Sequence, residues 1–262
     1  MKPLITSLLP LLALGPIATS QVTPDDDNAS RAVYDDGIQN FDNGSTTGAG
    51  TGFGGWVFNT STTPGNFDIA SGTSNGGLGR IDASGESFRL FDTGATGDFI
   101  EVFRFFDGGD LGVGQTFSFQ MDVNFRDGFK GFRLRDTDDS TNIFQFEVGD
   151  QGSGDDYIVS NAATNNGSIG NSYDADTTFT LIFTQTSLTN GDWFITREGG
   201  VSDSDSGTYN GRVSSFQLYT FDAGSDPNNA ILYNNFSVVP EPGTYALLFG
   251  CFGMAWIALR RR

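Results

Sequence analysis

The chain has no histidine, and its 262 residues include one cysteine, Cys251. The lack of histidine excludes Ser-His-Asp and Cys-His catalytic arrangements and every histidine-ligated zinc or iron site. A single cysteine cannot form an internal disulfide, so the fold has to be stable without one. Since little besides carboxylate chemistry is left, we expect a protein that is not an enzyme.

Basic side chains are also scarce. The chain has 14 Lys and Arg residues against 32 Asp and Glu residues, which gives a formal net charge of −18 at pH 7. Such a surface repels the phosphates of nucleic acids and of anionic lipids, so we expect no nucleic-acid partner. It suits an extracellular protein that attracts divalent cations.

The first 20 residues have the pattern of a secretory signal peptide. Lys2 supplies a positive start, residues 4–17 are mostly apolar, and residues 18–20 are small enough for cleavage before Gln21. The alternative, a retained N-terminal membrane helix, is disfavoured because Pro10 and Pro16 would interrupt it. We therefore expect export by the secretion machinery.

The other end of the chain carries an apolar segment of membrane length. Residues 244–259 contain no charge and no proline. As a helix they would cover about 24 Å, which is short for a bilayer core of ~30 Å but workable with snorkelling at the ends. Arg260, Arg261 and Arg262 follow at once and should lie on the cytoplasmic side. The pattern predicts a transmembrane helix with the main domain outside, and the simplest alternative is an ordinary C-terminal anchor.

Residues 240–262 combine Pro240, Glu241 and Pro242 with this apolar segment and the arginine cluster. The combination resembles the PEP-CTERM sorting signal of Gram-negative bacteria. The resemblance implies export, transient anchoring in the inner membrane, and removal of the tail by an exosortase-type membrane peptidase that recognises the Pro-Glu-Pro triplet. It also implies delivery to the cell surface or the extracellular polysaccharide matrix. It implies nothing about the chemistry of residues 21–237.

Between the two ends, apolar residues alternate with polar ones in short runs separated by glycine-rich turns. The clearest run places Phe117, Phe119, Met121, Val123 and Phe125 on one face, as expected of a half-buried strand. A hairpin turn is predicted at Asn190-Gly191. The predicted strands are 53–58, 87–91, 99–106, 116–125, 129–135, 142–148, 179–186, 193–197, 213–221 and 231–239, with a further one near 32–34.

This pattern predicts an all-β domain, an antiparallel β-sandwich or jelly roll of nine to twelve strands at residues 51–239. A polar lead-in at residues 21–50 precedes it, and the signal peptide and transmembrane helix flank the whole. The segments 131–134 (GFRL) and 191–195 (GDWFI) resemble concanavalin-like and laminin-G-type jelly rolls.

Two acidic loops are candidate calcium sites, since hard cations prefer clustered oxygen ligands. Asp136 and Asp138 belong to one loop, and Asp222 and Asp226 belong to the other. Neither loop matches the EF-hand pattern. The alternative is that both are solvated turns, where aspartate is common for backbone reasons. No other cofactor is expected.

Carbohydrate binding is the second candidate activity, because sugar sites combine an aromatic ring with amide, carboxylate and glycine neighbours. The alternative role for such rings is packing in the core or at a sheet edge. The candidate rings are Trp56, Tyr157, Tyr173, Trp193 and Tyr209.

Glycoside hydrolysis by paired carboxylates is the alternative of another class. The Glu-x-Asp-x-x-Glu pattern of related β-glucanases is absent from the sequence, although Glu101 and Glu147 lie on predicted strands. We therefore expect a non-catalytic structural or adhesive module that contacts extracellular polysaccharide, with a carboxylate-dependent polysaccharide hydrolase on a concanavalin-like fold as the alternative.

Overall fold

The computed structural model describes residues 25–34, 52–61, 65–71, 81–92, 95–136, 141–149, 157–170, 177–199, 202–223 and 229–240. The predicted signal peptide lies outside these residues, as do Tyr173, Asp138, Asp226 and the sorting segment from Glu241 to Arg262. No helix in the described ranges is long and apolar enough to cross a membrane.

The described residues form fifteen β-strands and one short 3₁₀ helix, Ala32–Tyr34. The strands are β1 Asp25–Asp27, β2 Phe53–Thr60, β3 Asn66–Ser71, β4 Glu86–Phe91, β5 Phe99–Phe106, β6 Thr116–Val123, β7 Phe129–Asp136, β8 Asn142–Gly149, β9 Tyr157–Ser160, β10 Gly167–Ser168, β11 Thr177–Gln185, β12 Asn190–Glu198, β13 Asp203–Asn210, β14 Val213–Phe221 and β15 Ile231–Val239.

The strands form two antiparallel sheets, which confirms the predicted all-β class. The eight-stranded sheet runs β13-β12-β11-β6-β15-β4-β3, and β1 also pairs with β15. The seven-stranded sheet runs β10-β9-β8-β7-β14-β5-β2. The inner faces pack against each other: the rings of Phe117 on β6 and Phe216 on β14 lie 5.0 Å apart, and those of Phe119 on β6 and Phe132 on β7 lie 4.5 Å apart. A core rich in phenylalanine stabilises this sandwich without a disulfide, since each such ring buries roughly 150–250 Å².

The predicted lead-in at residues 21–50 contains part of the sandwich instead. Strand β1 pairs with β15, and the predicted strand at 32–34 is a 3₁₀ helix. Asp27 is fully buried and lies 2.5 Å from the guanidinium of Arg104, while the Tyr34 hydroxyl donates to the same carboxylate at 2.7 Å. Residues before position 51 therefore take part in the sandwich, because a charge partner distant in sequence allows an acidic segment to be buried.

Two local expectations also need correction. Strand β6 ends at Val123, and Phe125 is 38% exposed beyond it. The β11–β12 hairpin is present, but its turn lies at residues 186–189, with Thr186 and Ser187 N–H groups donating to the Asn190 carbonyl. Gly191 lies within β12, where a Cβ atom would stand 2.1 Å from the Tyr209 hydroxyl. Glycine is needed at this position for close packing against Tyr209 rather than for a turn.

Strands β3, β9, β10 and β13 were missed by the sequence patterns. All four lie at or next to a sheet edge, and β13 reads Asp-Ser-Asp-Ser-Gly-Thr-Tyr-Asn with most of its side chains exposed or half-buried. Such a strand buries little apolar surface, so it lacks the alternation that marks strands with one buried face.

Candidate functional site

Four of the five candidate sugar-binding rings lie in the core. Trp56, Tyr157, Trp193 and Tyr209 are each at most 1% exposed. Trp56 packs against Phe67 at 5.1 Å between ring centroids, and Trp193 packs against Phe144 at 5.5 Å. A ring must present an open face to stack on a sugar, so the structure gives these four the core-packing role that was the alternative.

The two candidate calcium loops do not come together. Asp136 and Asp222 lie at opposite ends of the β7–β14 strand pair, about 26 Å apart at ~3.3 Å per residue. Asp136 accepts the Arg212 N–H at 3.1 Å, and Asp222 accepts the Gly97 N–H at 2.6 Å. Each of the two described carboxylates thus accepts a backbone N–H group and stabilises a loop. Within the ranges that the structure covers, no group of three or more acidic or cysteine residues is arranged to hold a metal ion.

The outer face of the seven-stranded sheet carries a dense set of polar side chains, which we name the polar face. Side chains alternate along a strand, so the inward positions of Phe132 and Leu134 direct Arg133 and Arg135 outward. The cross-strand register then aligns the outward residues of four strands. The polar face consists of Glu101, Arg133, Arg135, Gln145, Glu147, Gln217 and Tyr219.

Tyr219 lies at the centre of the polar face, where its side chain is fully buried, as is that of Gln217. Its hydroxyl donates to Glu147 Oε2 at 2.9 Å, and the Gln145 amide donates to the same carboxylate oxygen at 2.9 Å. The guanidinium carbon of Arg133 lies 4.0 Å from the Tyr219 ring centroid. Burial raises the pKa of Tyr219, and the negative charge of Glu147 raises it further. The phenol therefore remains a protonated donor at neutral pH.

Arg133 links Glu101 to Gln145 on the polar face. Its Nε donates to Gln145 Oε1 at 3.2 Å, and its Nη1 lies 3.5 Å from Glu101 Oε1. The Asn59 amide donates to the other oxygen of Glu101 at 2.7 Å. Because every side chain here is held by a neighbour on a rigid strand, the face is ordered before any ligand arrives.

A row of phenylalanines borders the polar face on one side. Phe129, Phe221 and Phe99 stand opposite one another on β7, β14 and β5. The rings of Phe99 and Phe221 are stacked at 5.4 Å, and Phe129 is 37% exposed. We name these three residues the phenylalanine row. It offers apolar ring surface beside hydrogen-bonding groups.

Glu101 and Glu147 lie on the same face, with β14 and β7 between their strands. Three strand spacings of ~4.8 Å put their backbones about 14 Å apart. Each carboxylate has its own partners, Asn59 and Arg133 for one and Tyr219 and Gln145 for the other. The arrangement does not place the two carboxylates on adjacent strands.

Sequence patterns missed most of the polar face. Its signal was present as a polar residue at every second position of three strands: 133 and 135, 145 and 147, 217 and 219. Such alternation indicates a solvent-facing side, and ordinary solvated strands show it too. Only the order of strands in the sheet shows that these polar residues form one continuous face instead of scattered surface positions.

No protein-family model and no curated protein matches the chain. Solved structures with some similarity include the catalytic domain of a glycoside hydrolase family 131 protein from Coprinopsis cinerea, at 9% identity over 71% of this chain and 84% of that chain, with a TM-score of 0.42. Another is the carbohydrate esterase vb_24B_21 of the Shiga toxin-encoding bacteriophage phi24B, at 14% identity, 71% and 90% coverage and a TM-score of 0.40. A third is the PL-14 alginate lyase of Aplysia kurodai, at 12% identity, 60% and 84% coverage and a TM-score of 0.36. Similarities this weak say nothing about activity.

Proposed function

We propose that this protein is an exported, non-catalytic carbohydrate-binding module that contacts extracellular polysaccharide through the polar face and the phenylalanine row. The observation that carries the proposal is the juxtaposition on one sheet of partly exposed rings and a preordered set of donors and acceptors. A sugar ring has an apolar C–H face and an edge of hydroxyl groups, and it needs both kinds of partner at once.

The rigidity of the polar face also supports ligand binding rather than catalysis. Side chains fixed on strands lose little further freedom when a ligand binds, so modest contacts are enough for weak affinity. A polysaccharide repeats the same unit many times, and a surface covered with such modules would bind it by avidity. Weak individual contacts are therefore sufficient for an adhesive role.

Binding is tested by titrating the exported protein with a panel of soluble polysaccharides, with and without calcium. We expect Arg133→Ala to weaken binding about tenfold, because it removes the guanidinium that lies on Tyr219 and reaches Glu101. Arg89→Ala is the matched control, since Arg89 pairs with Asp68 on the other sheet at 2.6 Å. Equal losses in both variants, or no binding by the unmodified protein, would refute a role for the polar face.

A carboxylate-dependent hydrolase is the second candidate, favoured by the position of Glu101 and Glu147 on one face. Its test is the release of reducing ends from the polysaccharide that binds best. A hydrolase would release sugar in the unmodified protein and stop in Glu147→Gln. If no sugar is released over prolonged incubation, this candidate fails.

We further propose that the sorting segment directs the protein to an exosortase-type peptidase and then to the cell surface or matrix. The support is the order of Pro240, Glu241 and Pro242, the apolar run and the terminal arginines. Alanine replacement of the triplet in a host with exosortase should leave the tail attached, as read by mass spectrometry of the mature chain. Unchanged removal of the tail would contradict the proposal.

A further inference from the structure

We infer that the opposite side of the sandwich carries a second sugar-binding site, specific for uncharged sugar residues, so that one module can bridge two polysaccharide chains. The inference rests on the proposed function, because it takes polysaccharide as the ligand. The second site is a hollow of about 440 Å³ on the outer face of the eight-stranded sheet. We name it the Phe194 hollow, and the residues that define it are Asn165, Ile182, Asp192, Phe194, Ser206 and Thr208.

Phe194 provides an aromatic platform in the middle of this face. It lies on β12, opposite Ile182 on β11 and Ser206 on β13. Its side chain is 40% exposed, which is high for a phenylalanine on an interior strand of a sheet. The ring therefore offers an open apolar surface of the kind that stacks on the C–H face of a sugar.

Polar residues occupy the neighbouring outward-facing positions around Phe194. Asp192 lies two residues before Phe194 on the same strand, so both point outward, and Thr208 stands opposite Asp192 on β13. The Asp192 carboxylate accepts no hydrogen bond from any residue in the described ranges. It is exposed and is thus available as an acceptor for ligand hydroxyl groups.

The wall of the hollow comes from the other sheet and is held rigidly. The loop between β9 and β10 reaches across to the edge strand β13, where the Ala163 N–H donates to the Thr208 carbonyl at 2.8 Å and the Asn165 amide donates to the Ser206 carbonyl. Asn166 clamps the loop by bonding the N–H and carbonyl of Ala162 at 2.9 and 2.8 Å. The hollow is therefore formed before a ligand binds.

The charge of the hollow selects the class of ligand. Asp192 is the one acidic residue of its described lining, which includes no lysine or arginine. A uronate or sulfated sugar would bring a second negative charge next to Asp192 without a cation to offset it, which disfavours binding. A neutral hexose unit donates hydroxyl groups to the carboxylate and covers the ring. The polar face differs, because it contains two arginines.

The two sites point in opposite directions, because they lie on the outer faces of the two packed sheets. A single polysaccharide strand cannot readily lie against both faces of a rigid sandwich. The expected consequence is cross-linking: one protein molecule joins two polysaccharide chains, and many such links hold a matrix together by avidity.

The test uses the exported protein and three variants, Phe194→Ala, Arg133→Ala and, as a control, Leu188→Ala. Leu188 is 58% exposed in the β11–β12 turn and lies outside the six residues of the hollow. Calorimetric titrations use cello-, manno- and galacto-tetraose and a mannuronate tetrasaccharide, and light scattering follows cross-linking of the matching neutral polymers. Circular dichroism and melting confirm that the variants are folded, which is expected because Phe194 is on the surface.

We expect two sites for a neutral tetrasaccharide in the unmodified protein and in Leu188→Ala, and one site in Phe194→Ala, which also loses cross-linking. We expect no binding of the mannuronate probe in the Phe194 hollow of Arg133→Ala, in which the other site is weakened. If Arg133→Ala abolishes binding and Phe194→Ala changes neither stoichiometry nor scattering, the second site is refuted and the proposed function stands. If the Phe194 site alone binds sugar, the assignment of the polar face fails and bridging with it. A self-association that Phe194→Ala abolishes, without sugar binding, would identify a second copy of the chain as the occupant and overturn the inference.

Discussion

The buried pair of Asp27 and Arg104 determines whether the N-terminal segment stays in the sandwich. Both side chains have no exposed surface, and the Arg104 guanidinium lies 2.5 Å from Asp27 Oδ2. Arg104 also donates to the Gly54 carbonyl at 2.9 Å and lies 4.3 Å from the Trp56 ring centroid. Replacing Asp27 with alanine would leave this guanidinium buried without its carboxylate.

The expected cost follows from that geometry. Removing one partner of a buried, hydrogen-bonded ion pair costs about 3–5 kcal/mol, because the remaining charge has lost its compensation and stays out of water. The Tyr34 hydroxyl would lose its acceptor as well, which adds about 1 kcal/mol. Against a total stability of roughly 5–15 kcal/mol, this is a large fraction.

Urea denaturation of Asp27→Ala followed by tryptophan fluorescence measures the loss, since Trp56 contacts the arginine directly. Asp26→Ala is the control: Asp26 is the exposed neighbour on β1, and we expect a change within about 0.5 kcal/mol. The double variant Asp27→Ala/Arg104→Met should recover part of the loss, because no buried charge remains. If Asp27→Ala and Asp26→Ala both lie within 1 kcal/mol of the unmodified protein (a threshold about a third of the lower expected cost), the buried-pair reasoning is refuted.

Three further predictions follow from the packing. Burial lowers the pKa of Lys130 from 10.5 to about 7, so between these pH values the folded chain binds fewer protons than the unfolded chain. The free energy of unfolding should therefore rise with pH across that window, and it should rise less in Lys130→Met. Urea midpoints measured at about pH 7 and pH 9 would show the difference. Gly191→Ala should cost about 1–3 kcal/mol in the same assay because its Cβ would meet the Tyr209 ring, whereas Gly54→Ala, with its nearest atom at 3.4 Å, should cost less. Tyr219→Phe should cost about 1 kcal/mol and weaken polysaccharide binding, since it removes the buried hydroxyl that holds the Glu147 carboxylate in place; unchanged binding in titrations would contradict this.

Strand positions could be predicted well where one face of a strand is buried. The expected bounds of β5, β14 and β15 agree with the structure to the residue. Burial of one face imposes a period of two on the apolar residues, and that period is visible locally. The order of strands could not be predicted in this way. β6 pairs with β11 and β15, both distant in sequence, and β5 pairs with β2 and β14.

The candidate sugar-binding rings show why local context misleads. Tyr157 and Tyr209 stand next to polar loops in the sequence, yet both rings are in the core and bond to buried partners, Thr177 at 3.1 Å and Gln185 at 3.3 Å. A large ring stabilises the fold most when it is buried, and its hydroxyl needs one partner that any strand can supply. Neighbours in sequence do not reveal that partner.

The sequence by itself determined what chemistry is excluded, where the strands with one buried face lie, and the grounds for proposing export and sorting. These are properties of composition and of short periodic runs, which are local. The tertiary structure decided the rest: Asp27 beside Arg104, Tyr219 between Glu101 and Glu147, and the loop from β9 closing the Phe194 hollow. Each of these joins residues separated by dozens of positions, and strand register, set by the packing of the whole core, is what brings them together.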